Sequence, residues 1–334
     1  MITRFVKSRW FKVGLLVLLL PLLLIVLGLV FQTIATAADA RRYPPPGQLV
    51  DVGGYRMHLY CIGERRADTP TVILEASYPA TISSWVWIQP QIAAITRVCA
   101  YDRAGSGWSD LSPAEPTMGQ MTEELHTLLT HSGEPGPYLL VGHSWGGAVT
   151  QLFARAYPEL VSGLVWIEAA HPDTWARRGL PESTLGGMPP EQAAGIPFLA
   201  RLGLFRLWPS LRGSWGIVPG LPEQAQAELT AYFNTNKWAD FIVAVEQALP
   251  LSLAQLRQSG NLGDMPLVIV IGSASEEATD IGRKLQQELG TLSSNSRVYE
   301  IDGADHSSLV HEQRFAQQTG DAILELLDAI RLEN

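Results

Sequence analysis

Charge is scarce in this chain and cysteine almost absent. Only 17% of the 334 residues are charged, the net charge is −9, and no run of like charges occurs. Nucleic acid is therefore excluded as a partner, because its phosphates need a Lys- and Arg-rich face. Internal repeats are missing, and so is any low-complexity tract outside the first 40 residues. Hydrophobic residues make up 46%, a share that fits a folded enzyme with one membrane segment and argues against a disordered or many-span chain. The two cysteines, Cys61 and Cys99, read either as small buried hydrophobes in strands or as a pair that an oxidising compartment would let bond.

The long apolar run extends from Val13 to Phe31, nineteen residues without charge and rich in Leu and Val. As a helix it would span about 28 Å, the hydrocarbon thickness of a bilayer. Arg4, Lys7, Arg9 and Lys12 precede it, while Asp39, Arg41 and Arg42 follow. That basic excess predicts a single-pass membrane protein with a cytoplasmic N-terminus and an extracytoplasmic catalytic domain. Ala35-Thr36-Ala37 offers the rival reading, the small-x-small pattern of a cleaved secretory signal. An apolar run longer than the ~7 to 15 residues of a signal favours a retained anchor. Residues 1–40 are thus read as the anchor. Residues 41–47, containing Tyr43-Pro44-Pro45-Pro46-Gly47, are read as a stiff Pro-rich linker that holds the body off the membrane.

Beyond the linker, short apolar runs begin at Gln48, Tyr55, Thr71, Arg97, Tyr138, Leu164, Leu267 and Arg297. Helical patterns fall between them, at Ser84 to Ala94, Thr117 to Ser132, Trp145 to Tyr157, Glu276 to Leu289 and Glu312 to Leu332. Strands interleaved with helices predict a mostly parallel eight-stranded α/β sheet covered on both faces. Gly53-Gly54 marks a tight turn, so the sheet should open with an antiparallel hairpin. Residues 172–259 break the alternation with a Pro-, Gly- and Leu-rich stretch holding Trp175, Trp208, Trp215 and Trp238. They read as several short helices inserted between the sixth and seventh strands, leaving 48–171 and 260–334 as the core.

Chemistry concentrates at Gly142-His143-Ser144-Trp145-Gly146, a G-x-S-x-G pattern between an apolar strand and a helix. That order is the nucleophile elbow, a sharp turn that lifts the Ser side chain above the sheet and needs small residues on either side. The helix N-terminus beneath it favours developing negative charge. From Gln48 onward the chain resembles the α/β-hydrolase fold superfamily. The insertion at 172–259 sits where many members carry a helical cap over the active site, and two further segments carry the likeness, Asp102-Arg103-Ala104-Gly105-Ser106-Gly107-Trp108-Ser109 and Ile301-Asp302-Gly303-Ala304-Asp305-His306. The first resembles the D-R-x-G-x-G-x-S loop after the fourth strand, where Asp102 and Arg103 tie the loop together. The second resembles the turn that presents the catalytic His in such enzymes, which makes His306 the general base for Ser144.

The other histidines, His58, His126, His131, His171 and His311, read as ordinary core or surface residues, and the resemblance points His143 away from the pocket. The acid is open. The resemblance implies Asp after the seventh strand, but that loop reads Gly272-Ser273-Ala274-Ser275-Glu276-Glu277. Glu168, at the end of the sixth strand, is the preferred acid, with Glu276 the alternative and Glu277 or Asp280 behind it. After the third strand the resemblance implies H-G-x-P, and this chain has Glu75-Ala76-Ser77-Tyr78-Pro79. Backbone N–H groups of Ser77 or Tyr78, with that of Trp145, would then form the oxyanion hole. The resemblance also sets the second strand antiparallel beside the fourth, which pairs Cys61 with Cys99 as a disulfide.

Together these features predict a serine hydrolase that cleaves an ester, or an amide, of an apolar small molecule through Ser144, His306 and an acid, with no cofactor or metal. A Ser nucleophile argues against dehalogenase and epoxide hydrolase chemistry, which uses Asp at this position. Carboxylesterase or lipase chemistry suits the Trp- and Leu-rich cap, and a proline iminopeptidase-like reaction is the amide variant. The alternative is a catalytically silent body serving as an extracytoplasmic subunit or docking module of a membrane complex.

Overall fold

A computed structural model describes residues 2–179, 193–212, 218–275 and 279–333. One sheet holds β1 (Gln48–Asp51), β2 (Arg56–Ile62), β3 (Thr71–Glu75), β4 (Val98–Asp102), β5 (Tyr138–His143), β6 (Val161–Ile167), β7 (Leu267–Gly272) and β8 (Ser296–Ile301). Their spatial order is β1-β2-β4-β3-β5-β6-β7-β8. β1 and β2 are antiparallel, as are β2 and β4, and every other neighbouring pair is parallel. At the opening hairpin Gly53 and Gly54 take positive φ, and both N–H groups donate to Asp51 Oδ1 at 2.8 and 2.9 Å. Glycine carries that conformation at no steric cost.

Every residue of β3, β4, β5 and β7 is buried, which explains their unbroken apolar runs. The period of two sorts their side chains into two layers. Val72 and Leu74 pack with Ile88 and Ile92 of helix α2 (Ile88–Ala93) and with Ile323 and Leu327 of the C-terminal helix. Ile73 faces the opposite layer, with Leu125 and Leu128 of α3 (Met118–Ser132) and Phe153 of α4 (Trp145–Ala156). The helix expected over 84–94 is split into a 3-10 turn at Ile82–Trp85 followed by α2. Asp102 Oδ1 accepts the Ile82 N–H at 3.0 Å, so a side-chain bond fixes the turn before a regular helix can begin. Cys61 and Cys99 face each other across β2 and β4 and are bonded, with Cα atoms 4.0 Å apart.

Between β6 and β7 lie α5 (Thr174–Arg177), α6 (Ile196–Arg201), α7 (Leu204–Leu207), α8 (Glu223–Phe233) and α9 (Asn236–Arg257). α9 is long and apolar enough to cross a membrane, but its Phe241, Val245, Leu249 and Leu253 pack on Met118, Met121 and Trp145 in a buried cluster. The candidate membrane span is instead α1 (Ile2–Arg42), whose apolar side chains from Val13 to Phe31 are largely exposed.

α1 does not stop at Phe31. It continues to Arg42 and docks on the body. Gln32 is only 1% exposed. Its Nε2 donates to the Asn234 carbonyl at 2.7 Å, and its Oε1 accepts from Arg206 Nε at 2.9 Å. Arg206 also pairs with Asp39 at 2.5 Å and reaches Thr36 Oγ1 at 3.2 Å. The segment read as a stiff Pro-rich linker, residues 41–47, makes bonds to the body as well. Trp108 Nε1 donates to the Tyr43 carbonyl at 2.9 Å, and the Pro46 carbonyl meets His58 Nε2. An extended Pro-rich backbone leaves its carbonyls without internal partners, and here side chains of the body take them.

Candidate active site

β5 passes into α4 through Ser144, whose backbone has φ 54° and ψ −116°. Among the described residues only Ser144 and Glu168 (φ 42°) carry positive φ without being glycine. Such conformations cost about 1–3 kcal/mol each and persist only where the surroundings over-determine them. Around Ser144 the determinants are backbone bonds: its N–H donates to Ile167 at 2.9 Å, and its carbonyl accepts from Gly147 at 3.0 Å and Ala170 at 2.9 Å. Steric exclusion does the rest. A Cβ on Gly142 would sit 2.5 Å from Gly146 O and Gly147 N, and one on Gly146 would run into the Glu75 carbonyl.

Glu168 follows β6 and reaches sideways to the loop after β8. Its N–H donates to Val270 O at 2.9 Å. One carboxylate oxygen, Oε1, accepts the Gly272 N–H at 2.8 Å, and the other, Oε2, lies 2.7 Å from His306 Nδ1. The Glu168 side chain is wholly buried while that of His306 is 44% exposed. With Nδ1 held by a carboxylate, Nε2 is the ring nitrogen left to take a proton. The alternative acids Glu276 and Glu277 lie outside the described residues. Asp280 opens helix α10 (Asp280–Gly290) and stands in its first turn.

The His306 loop is fixed at both ends. Asp305 Oδ1 accepts the N–H groups of Ser307 and Ser308 at 3.0 and 2.8 Å, and Ser308 Oγ accepts that of Asp305 at 2.8 Å. His143 adds a third tie, since its Nε2 lies 3.0 Å from the His306 carbonyl. A carbonyl only accepts, so His143 carries its proton on Nε2. Burial, and the neighbouring His306 and His311, hold its pKa well below the ordinary histidine value, in keeping with a neutral donor. His311 is buried behind it, bonded to Ser307 Oγ at 2.9 Å and Ser84 Oγ at 3.1 Å, and burial lowers its pKa to about 4.

On the other side of β5, Ser77 and Tyr78 follow β3. Arg103 forms an ion pair with Glu75 and donates to the Ala76 carbonyl and, at 3.3 Å, to that of Ser77. Trans peptides are planar, so clamping these two carbonyls turns the N–H groups of Ser77 and Tyr78 the opposite way. Tyr78 packs its ring 5.9 Å from that of Trp145 and 5.7 Å from that of Phe241, and its hydroxyl donates to Ile242 O at 3.1 Å. Trp145 is buried at the first position of α4, where helix N–H groups lack intrahelical partners.

Asp102 accepts from Ile82, from Trp108 N at 3.1 Å and from His58 Nδ1 at 2.9 Å. Burial pushes its pKa up, but these donors outweigh it and hold the carboxyl below its usual value. Both loop residues, Asp102 and Arg103, therefore serve the loop's shape. Cys61, Cys99 and Glu134 are the one cluster with metal-ligand spacing among the described residues, and the disulfide consumes both sulfurs.

Three residues of this network escaped the sequence reading. His143 and His311 looked like bystanders because nothing local marks their contacts with residues more than 150 positions away. Glu75 had a signal, an acidic residue closing a wholly buried strand, which demands a partner.

Curated relatives match segments of the chain, and the chain spans less than half the length of those it matches first. An uncharacterised vacuolar membrane protein of Saccharomyces cerevisiae is 29% identical over 132 residues, 35% of this chain and 20% of that protein. The haloalkane dehalogenase DbeA from Bradyrhizobium elkani superposes with a TM-score of 0.65 at 20% identity, covering 84% of this chain and 98% of its own. A thermophilic esterase from Thermogutta terrifontis gives 0.60 at 20% identity, covering 85% and 98%. At such identities the likeness speaks for the fold alone. A model of the alpha/beta hydrolase family matches residues 77–318, most of the chain, and the protein belongs to that family.

Proposed function

We propose that the protein is a membrane-anchored serine hydrolase acting on an ester, or an amide, of an apolar small molecule. Ser144 is the nucleophile, His306 its general base and Glu168 the acid that orients the imidazole. The observation that carries this reading is the buried Glu168 carboxylate 2.7 Å from His306 Nδ1, next to a nucleophile turn whose strain is shared by Glu168 alone among the non-glycine residues described. His306 takes the Ser144 proton on Nε2, the alkoxide adds to the carbonyl carbon, and the leaving group departs with that proton. Water then repeats the sequence on the acyl enzyme. The oxyanion is held by the N–H of Trp145 and by those of Ser77 or Tyr78, which the Arg103 clamp turns away from itself. α1 is the anchor, and the basic residues before it put the catalytic body on the extracytoplasmic side.

Covalent labelling with a fluorophosphonate tests the reading. The wild-type protein should be labelled at Ser144 and the Ser144→Ala protein not at all. A well-folded wild-type protein that resists the probe would favour the silent docking module instead.

A further inference from the structure

The emergent end of α1 and the body enclose a cavity of about 590 Å³, within the size range of ligand sites. α1 contributes Thr33, Thr36, Ala37, Asp39 and Ala40, and the body side includes Trp108 and Ala231 beside Glu228 and Lys237. The charged ends have partners of their own, Asp39 in Arg206, Glu228 in Ser83 and Gln224, and Lys237 in the carbonyls of Gly107 and Ser109. None of Ser144, Glu168 and His306 lines it. We infer that this cavity binds the hydrocarbon tail of a membrane amphiphile that enters from the bilayer along α1.

Position is the first argument. A Cβ on Gly28 would lie 3.0 Å from the Leu202 carbonyl, and one on Gly203 would lie 2.7 Å from the Phe31 ring. Gly28 and Phe31 belong to the apolar run proposed to span the bilayer, so the cap reaches down to the level of that run. The cavity begins at Thr33, two residues or about 3 Å further along the helix.

Surface chemistry is the second. The cap segment that touches α1 exposes Phe198, Leu207, Trp208 and Leu211 at 50–58%. Apolar and aromatic side chains gathered beside a membrane span belong in the interface of a bilayer. Beside the end of the span they would replace water with lipid. A chain leaving the bilayer could then pass between α1 and the cap without crossing a solvated gap. Rigidity is the third argument. Gln32 and Arg206 fix α1 to the cap at the rim, so the cavity is held open by bonds and does not depend on a loop.

The site needs no chemistry at Ser144, so its test is independent of the hydrolase reading. Full-length protein in lipid nanodiscs would be irradiated with a phosphatidylcholine carrying a diazirine in its acyl chain, and the adducts mapped by mass spectrometry. Adducts are expected on peptides containing residues 33–40 and 228–237, in the wild-type and the Ser144→Ala protein alike. Filling the cavity from either wall, with Ala37→Trp or with Ala231→Phe, should cut those adducts about tenfold while adducts on residues 13–31 persist. The melting temperature of each variant checks its fold, and one correctly folded filling variant suffices. Adducts confined to the span, or cavity adducts unchanged in a folded filling variant, would overturn the inference. So would a cavity labelled by a photoactivatable fatty acid added from water but not by the bilayer-borne lipid, because the occupant would then be a soluble amphiphile.

Discussion

Two buried glutamates flank β5, the strand that leads into Ser144, and their partners set them apart. Glu75 ends β3 and Glu168 follows β6, with β5 between them. Their side chains are 1% and 0% exposed. Glu75 meets Arg103, itself 4% exposed, whereas Glu168 meets His306, which is 44% exposed. A guanidinium keeps its proton under all conditions a protein survives, and both partners are buried, so the first pair braces the loop it touches. An imidazole can both accept and donate a proton, and one open to the surface can exchange it with a substrate. The same residue type thus serves as brace on one side of the elbow and, in the proposed mechanism, as orienting acid on the other.

The comparison breaks most sharply at Ser144, the proposed nucleophile. Ser144→Ala and His306→Ala should each lower ester hydrolysis by a factor of about 10⁴ or more, since the two act as a unit. Glu168→Gln should cost about 10² to 10⁴ in kcat, because the acid only orients and stabilises the imidazolium. Steady-state kinetics on a p-nitrophenyl ester separate these values. An equal loss from Glu276→Gln with Glu168→Gln near wild type would reassign the acid.

The brace should be felt in stability first. Arg103→Met leaves the Glu75 carboxylate buried without its partner and should destabilise the fold by about 3–5 kcal/mol in a denaturant titration. It should also slow turnover, through the released Ala76 and Ser77 carbonyls. The double variant Glu75→Gln with Arg103→Met should recover much of the stability but not the turnover.

The disulfide ties β2 to β4, the strand that leads into Arg103, and so belongs to the brace side. Its 38-residue separation predicts a loss of about 3–4 kcal/mol on reduction, measured by denaturation with and without dithiothreitol. The Glu168–His306 pair lies on the far side of β5, and activity of the still-folded reduced protein should stay near that of the oxidised form.

The smallest effect is one of pH. Burial, offset in part by Arg103, raises Glu75 from 4.5 to about 7. The folded state then holds this proton more tightly than the unfolded chain, so the contribution is present below pH 4.5 and is lost as pH rises through 7. Up to ~3 kcal/mol is at stake. Unfolding free energy followed from pH 4.5 to 7.5 should fall more steeply in wild type than in Glu75→Gln.

Contiguous features were the legible ones. Strand, Ser144 and helix follow one another without a gap, the apolar run of α1 needs no partner to be recognised, and Gly53-Gly54 carries its own turn. The acid was legible only as a choice. Glu168 and His306 are 138 positions apart, and no periodicity reports which of several carboxylates a distant loop will approach. Likewise Tyr43 to Pro46 declared an extended backbone, but nothing in those residues says whether its carbonyls meet water or, as here at Tyr43 and Pro46, the side chains of Trp108 and His58.

By itself, then, the sequence determined the alternation of strands and helices, the elbow at Ser144 and the apolar length of α1, because each rests on side-chain period or on local backbone sterics. Tertiary structure decided that Glu168 meets His306, that Glu75 meets Arg103, and that Gln32 and Arg206 draw the end of α1 onto the cap. Glu168, Glu75 and Gln32 are buried polar groups. Each must find a partner once water is removed, and which partner lies within reach depends on how the whole sheet and cap come together.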